Sequence, residues 1–329
     1  MRVVVTGASA GIGRAAAIEF AKRGARVALL ARGLPGLEGA RREVEALGGE
    51  ALVIPTDVAD AEQVDAAAAQ VTRQWGGIDV WVNNAMASIF APVDEISADD
   101  FRRVTDVTYH GAVWGTRAAL QRMLPADRGT IVQVGSALAY RSIPLQSAYC
   151  AAKSALRGFT DALRSELVHR GSRVQVVFLI LGAFNTPQFD WVKTTFHRRP
   201  RPVGTVYQPE VAARAIVGAA LRPERQVFVG WPAVQAFLGN IAAPGLLDRW
   251  LARKAWDGQF TDEPIPPGRR DNLHAPVEED RGAHGRFDRE AHDASYEYEA
   301  ARHPVMLAVI GVAAGLLAVG VARRLGRAE

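Results

Sequence analysis

The sequence predicts an α/β fold, a doubly wound parallel sheet of about seven strands with helices on both faces. Two observations carry that expectation. Short apolar runs rich in Val, Ile or Leu alternate with helical patterns as far as about residue 230. Within each run, apolar residues do not alternate with polar ones, as expected for strands buried on both sides. The expected strands cover residues 2–6, 26–31, 51–55, 78–83, 129–135, 173–180 and 226–229. Helical patterns between them include 13–23, 61–75, 101–123 and 148–169. Strands in alternation with helices read as βαβ units.

The bulk numbers fit this architecture. A chain of 329 residues holds one large α/β domain (1–230) and an extension, and 49% hydrophobic with 22% charged residues is a globular composition. The formal net charge is +4, with basic residues spread along the chain. That spread excludes a dedicated nucleic-acid surface, and there is no helix-turn-helix signature and no metal-ligand spacing. Only four basic residues are lysines (Lys22, Lys153, Lys193, Lys254), an arginine bias that points to a GC-rich bacterial genome. Cys150 is the sole cysteine. It rules out an intramolecular disulfide, fits a reducing, cytoplasmic compartment, and reads as a small buried residue rather than a reactive thiol. The first strand begins at Arg2, which leaves no room for a signal peptide before it.

Past Gly230 the texture changes. Residues 231–256 are apolar but interrupted by Pro232, Gly239, Pro244 and Gly245. They read as one or two short helices over a site opening or on a membrane surface. Residues 257–302 are polar and proline-containing, an irregular arm or linker that takes the extension to 303. Residues 304–322 are uncharged, matching a single spanning helix of about 20 residues, and a basic tail (323–329) follows. Gly311 and Gly315 would permit close helix pairing. The expectation is a cytoplasmic catalytic domain anchored to the inner membrane by this C-terminal segment. The positive-inside rule conflicts with a single span, because it would also keep Arg323, Arg324 and Arg327 in the cytoplasm. A segment lying in the interface removes the conflict.

The chemistry concentrates at strand ends. The first strand runs into Thr6-Gly7-Ala8-Ser9-Ala10-Gly11-Ile12-Gly13, and a helix follows. Glycines let such a turn approach a pyrophosphate, and the helix N-terminus supplies free N–H groups. Tyr149 and Lys153 lie four residues apart, one turn apart on one helix face. A phenol has a pKa of about 10, and a nearby ammonium lowers it toward general acid/base use. Asp57, Asn83-Asn84-Ala85 and Ser136 each close a strand, and Ser136 lies 13 residues before Tyr149. Singly, each reads as a cap or turn residue. Jointly, they occupy the carboxyl ends of strands, where open α/β sheets bind ligands.

On these residues the chain resembles the short-chain dehydrogenase/reductase family over about residues 1–230. The family's T-G-x-x-x-G-x-G appears as Thr6–Gly13, and its N-N-A-G as Asn83-Asn84-Ala85-Met86. Its P-G-x-x-x-T appears as Leu181-Gly182-Ala183-Phe184-Asn185-Thr186. The resemblance implies a Rossmann-type domain with Ser136, Tyr149 and Lys153 as catalytic residues. Thr108 occupies the position of the family's catalytic asparagine, which helps hold a relay water. His110, nearby, reads as an ordinary helical position. The implied cofactor-binding set is Gly7, Ser9, Gly11, Ile12, Gly13, Arg32, Asp57, Asn83, Ala85, Tyr149, Lys153, Gly182 and Thr186. The second strand ends in Ala31-Arg32 rather than an acidic residue, which favours NADP over NAD through a 2′-phosphate. Arg14 reads first as a surface helix arginine.

The implied activity is hydride transfer between NADPH and a carbonyl or alcohol. Phe184, Phe189, Trp191 and Phe196 favour an apolar substrate. His197-Arg198-Arg199-Pro200-Arg201 reads first as a solvated loop and second as a basic collar for an acidic substrate or lipid heads. The family implies a homodimer or homotetramer through the helices that hold Tyr149 and residues 101–123. A weakly catalytic NADP-binding sensor or scaffold is the competing reading, supported by Thr108, Met86 and Leu181 and opposed by Ser136, Tyr149 and Lys153.

Overall fold

The central strands are β1 (Arg2–Thr6), β2 (Arg26–Ala31), β3 (Glu50–Pro55), β4 (Val80–Asn83), β5 (Thr130–Val134), β6 (Gln175–Leu181) and β7 (Gln226–Val229). They pair in parallel in the order β7-β6-β5-β4-β1-β2-β3 in a computed structural model that describes residues 1–302. The strand order reverses between β1 and β4, so the crevice for a ligand opens at their carboxyl ends.

Both faces of the sheet are covered. Val3, Val5, Val27 and Leu29 pack with one layer, which includes the helices Gly11–Ala21, Leu34–Ala46 and Pro209–Leu221. Val4, Ala28, Leu30 and Trp81 pack with the other, which includes Ala61–Trp75, Gly111–Met123 and Ser147–His169. Each face needs apolar residues, so alternate positions are all apolar and the strands show no polar period.

Local signals set the element ends. Helix Ala61–Trp75 starts where the Asp60 carboxylate accepts from Glu62 N (2.9 Å) and Gln63 N (3.1 Å), and it stops at Gly76 with φ +78°. The helix expected over 101–123 instead starts at Ala98, where Ser97 caps the amide of Asp100 at 3.1 Å. A π-helical turn, Asp106–His110, interrupts it before Gly111–Met123. Such turns mark functional sites more often than ordinary helix does.

The extension is not a free linker. Residues 231–256 form two helices, Trp231–Ala242 and Pro244–Lys254. Strand Phe260–Pro264 then pairs antiparallel with Arg198–Pro200. Helix Tyr296–Arg302 returns to the body of the domain, where buried Tyr298 joins the core and donates to Arg214 O (3.4 Å). Among the described residues no helix is long and apolar enough to cross a membrane. The segment expected to do so, 304–322, lies outside the described residues.

The turn after β1 is held by close backbone approach. Gly7 has φ +68°, and a Cβ on Gly13 would sit 2.2 Å from Gly7 O. Gly13→Ala is therefore expected to lower stability by about 1–3 kcal/mol, the usual cost of overpacking. Thermal or denaturant unfolding measures it, and an unchanged midpoint would contradict this packing.

Candidate active site

Thr6 stitches the two strands that flank the crevice. Its hydroxyl donates to Val82 O (3.2 Å) and accepts from Asn84 N (2.9 Å) and Ala85 N (3.0 Å). Asn84 Nδ2 returns a bond to Thr6 O (2.9 Å). These bonds hold the glycine turn beside the end of β4. The helix after the turn has Ala10 at its N-cap and no side-chain cap. With no side-chain cap, the Gly11 amide donates to the main-chain oxygen of Gly282 (3.1 Å), a neutral acceptor at a terminus suited to an anion.

A single cavity of about 930 Å³ runs from this turn across the carboxyl ends of the strands. It lies near the top of the range of roughly 300–1,000 Å³ for ligand pockets. One end is lined by Gly7, Ser9, Gly11 and Ile12, with Arg32, Asp57 and Ala85 close by. The middle is lined by Ser136, Tyr149, Lys153, Gly182 and Thr186. The far end is apolar, formed by Phe184, Phe189 and Trp191 with Leu246, Leu247 and Trp250 from the hairpin of helices. This glycine cradle, helix terminus without a side-chain cap and elongated cavity fit a dinucleotide with a substrate beyond it.

Ser136 follows β5 and accepts from Leu138 N at 3.1 Å, which leaves its hydroxyl proton available. Tyr149 and Lys153 rise from helix Ser147–His169, whose first two turns face the cavity. Lys153 Nζ lies 5.6 Å from the centre of the Tyr149 ring and donates to Val134 O at 2.6 Å. Tyr149 is partly accessible, but its accessible surface is cavity wall rather than open solvent. Burial pushes its phenol above the usual value, and interaction with the Ser136 hydroxyl opposes that rise. Burial likewise lowers Lys153 to about 8. The sequence-based expectation that lysine would depress the tyrosine is thus not met in the protein alone. Desolvation outweighs attraction for both groups.

Other expected residues take different places. Gly13 packs against Gly7 and does not line the cavity. Asn83 is buried away from it, donating to Thr116 Oγ1 and Gln133 Oε1 (both 3.0 Å). Asn84 takes the cavity wall instead. Thr108 lies outside the lining, and its hydroxyl donates to Ala87 O and accepts from Ala87 N (both 2.9 Å). A hydroxyl committed to a backbone pair has no proton left for a relay water, and the π-turn holds it there. Asp57 lines the cavity but pairs with Arg103 (2.6 Å). His110 sits on Asp106 at 2.8 Å, an ordinary helical pair. Arg14 is not a surface residue: it is 3% exposed and pairs with Glu43 (2.8 Å) and Asp280. Phe196 stacks on Phe260 rather than lining the cavity. Cys150 is buried, which raises its thiol pKa and keeps it protonated.

The basic stretch is a partly solvated surface whose arginines are paired, and of them Arg201 also lines the cavity. Arg198 pairs with Asp257 (2.8 Å), Arg199 with Glu263 (3.0 Å) and Arg201 with Glu290 (2.5 Å). Each acid comes from the C-terminal arm, more than 50 residues away, so no local pattern announced it. Asn185 was also missed as an organising residue. It is fully buried, and its Nδ2 donates to Gln208 Oε1 (2.9 Å) and Asp288 Oδ1 (2.8 Å).

The short chain dehydrogenase family model matches residues 1–195. This chain belongs to that family. Among short-chain dehydrogenases, the uncharacterized oxidoreductase YxnA of Bacillus subtilis is 32% identical over 329 residues, covering 98% of this chain and 90% of its own. The human dehydrogenase/reductase SDR family member 7 is 39% identical over 171 residues, about half of each chain. A metagenomic short-chain oxidoreductase solved in complex with NADP is 27% identical, with a TM-score of 0.60 over 69% of this chain and 95% of its own. An archaeal alcohol dehydrogenase from Thermococcus sibiricus, complexed with 5-hydroxy-NADP, is 26% identical with a TM-score of 0.61 over the same shares. As a short-chain dehydrogenase, the protein is an NAD(P)-dependent oxidoreductase.

The lysine titration has a measurable consequence. Below about pH 8 Lys153 is charged in both folded and unfolded protein. Between about 8 and 10.5 the folded protein has lost a proton that the unfolded chain keeps, so stability rises with pH in that window. Lys153→Met lacks the titration. Unfolding at several pH values is expected to show wild type gaining on this variant from pH 8 upward, and a flat difference would contradict the burial.

Proposed function

We propose that this protein is an NADP-dependent carbonyl reductase or alcohol dehydrogenase acting on an apolar substrate. One observation carries the reading. Ser136, Tyr149 and Lys153 meet midway along a cavity that joins the glycine turn to an apolar pocket.

NADPH, when bound, supplies the hydride chemistry. Gly7, Ser9, Gly11 and Ile12 would hold its phosphates, and Gly182 and Thr186 its nicotinamide end. Ser136 orients the substrate oxygen through its free proton. Tyr149 delivers a proton to that oxygen. Its raised pKa in the protein alone keeps that proton in place until substrate arrives. Lys153 holds a positive charge beneath the phenol, which stabilises the phenolate left after transfer. With Thr108 committed to Ala87, main-chain carbonyls such as that of Val134 take over the positioning at Lys153.

Arg32 supports NADP over NAD, because it lines the cavity at the end of β2 where an acidic residue would repel a 2′-phosphate. The NADP complexes of the two structural relatives support the same choice. The sensor reading is disfavoured, because three intact reacting groups facing one cavity have no use in a protein that only binds.

An association with membrane belongs to the same proposal. Leu238, Ile241, Leu246 and Trp250 are all more than half exposed on the hairpin that roofs the apolar end of the cavity. The uncharged residues 304–322 would add an anchor. The family's dimer or tetramer is proposed with it.

Two variants test the chemistry. Tyr149→Phe is expected to lose turnover by a factor of at least about 100, the lower range for a positioned acid, while NADPH binding persists. Arg32→Ala is expected to weaken NADPH about tenfold or more, as loss of one charged hydrogen-bond partner does, and to leave NADH nearly unchanged. Retained turnover in the first, or a strong preference of wild type for NADH, would refute the assignment. Flotation of the full-length protein with liposomes tests the membrane association, and its recovery in the soluble fraction without detergent would sink it.

A further inference from the structure

Residues 272–282 cross the turns that follow β3, β2 and β1, above the glycine-turn end of the cavity. They form part of its wall. Ser9, Ile12 and Arg32 line one side, while Asn272, Val277 and Glu279 line the other. The cavity therefore runs beneath this segment, and the segment does not fill it.

Apart from Leu273, the attachments are polar. Arg32 donates to the main-chain oxygens of Leu273 (3.3 Å), His274 (2.9 Å) and Asn272. Arg103 Nε donates to Leu273 O at 3.0 Å while its other end holds Asp57. Asp280 pairs with Arg14 and approaches Arg42 at 3.7 Å. Gly11 N, in the phosphate-binding turn, donates to Gly282 O at 3.1 Å. Apolar anchors lie only near the two ends, at buried Leu273 and Phe287. Between them His274–Pro276 and Glu278–Arg281 are exposed. A crossing held by polar bonds along an exposed stretch of chain, with apolar anchors only near its ends, is a unit able to open locally while the domain stays folded.

We propose that residues 272–282 are a strap that forms the outer wall of the cofactor site and must lift for a dinucleotide to enter or leave. The inference rests on the cofactor reading above. With the strap down, the adenosine end of the cavity has protein on both sides. Two of the groups that hold it down, Arg32 and the Gly11 amide, are those a 2′-phosphate and a pyrophosphate would seek. The arriving anion therefore competes with neutral carbonyls for the same donors, and charged acceptors win that competition. Asn272, Val277 and Glu279 are thereby assigned to the cofactor site, although they lie beyond the part of the chain that the family model matches.

A reversible lock tests the strap. A Cβ built on Gly39 lies 2.6 Å from Asp280 Cγ, the place that a sulfur on residue 280 would take. Gly39→Cys with Asp280→Cys therefore places two thiols in contact, and a shift of roughly half an ångström of the exposed strap brings them to disulfide spacing. Cys150 is buried and does not compete. Stopped-flow transfer of fluorescence from protein tryptophan to NADPH reports binding without turnover. The oxidised double variant is expected to bind NADPH at least about 100-fold more slowly than its reduced form, because binding then waits on a blocked conformational step. Oxidation after loading is expected to trap the cofactor, and dithiothreitol to release it. A second variant guards against misfolding in the first. Asp280→Ala alone is expected to raise association and dissociation rates together, each about tenfold, with little change in Kd. Equal rates in the oxidised and reduced protein, or unchanged rates in Asp280→Ala, would overturn the strap while leaving the cofactor reading intact. Failure of the wild-type protein to bind either NADPH or NADH would overturn the cofactor reading and the strap with it.

Discussion

A guanidinium buried at the start of the first helix obliges separate parts of this chain to meet. Arg14 is 3% exposed, and a buried charge must be paired and hydrogen-bonded to be tolerated. It reaches Glu43 on helix Leu34–Ala46, Asp280 on the arm, and the carbonyl oxygens of Ser9 (3.4 Å) and Gly36 (3.5 Å). One side chain thereby ties the glycine turn, the second βα unit and a segment more than 260 residues away. Asp280 brings the arm to the edge of the crevice, and Glu43, bonded through two of the guanidinium nitrogens, keeps the charge paired when the arm lifts.

The pair of Tyr149 and Lys153 shows the opposite balance. Tyr149 and Lys153 sit one turn apart, yet each is shifted toward its neutral form. Without an anion nearby, the low-dielectric wall penalises both charges more than they stabilise each other. Such a site favours chemistry in which a charge develops only as the reaction proceeds. In the proposed carbonyl reduction, the negative charge developing on the substrate oxygen would be of this kind.

Arginine abundance turns out to serve the arm. Arg198, Arg199 and Arg201 each find an acid on it, and Arg286 finds Asp190. Surface pairs of this kind contribute little one by one, about 0–1 kcal/mol, but as a set they fix register between two segments with a thin shared core. The roof of the cavity is different. There Trp250 and Leu246 contribute apolar surface on both sides, to the cavity and to solvent.

Much of the domain was legible in the chain. The seven strands appear within a residue or two of their expected places, because a strand buried on both faces must be an unbroken apolar run. The glycine turn was legible because glycine takes Gly7's φ of +68° without strain and is the residue that allows Gly13's close approach to Gly7 O. That Ser136, Tyr149 and Lys153 share one cavity was legible because a strand's carboxyl end and one face of the following helix border the same crevice. What only the tertiary structure decided were the partners. Asn83 turned from the cofactor into a buried polar cluster, Arg14 from the surface into an ion pair, and Thr108 into a closed pair with Ala87. Residues 257–302 read as an irregular arm or linker, and part of them, including Asn272, Val277 and Glu279, became a wall of the cavity. The physical reason is common to all of these. Periodicity and turn chemistry act within a few residues, whereas the partner of a charge or a hydrogen-bonding group is chosen by whatever the folded chain brings within 3 Å.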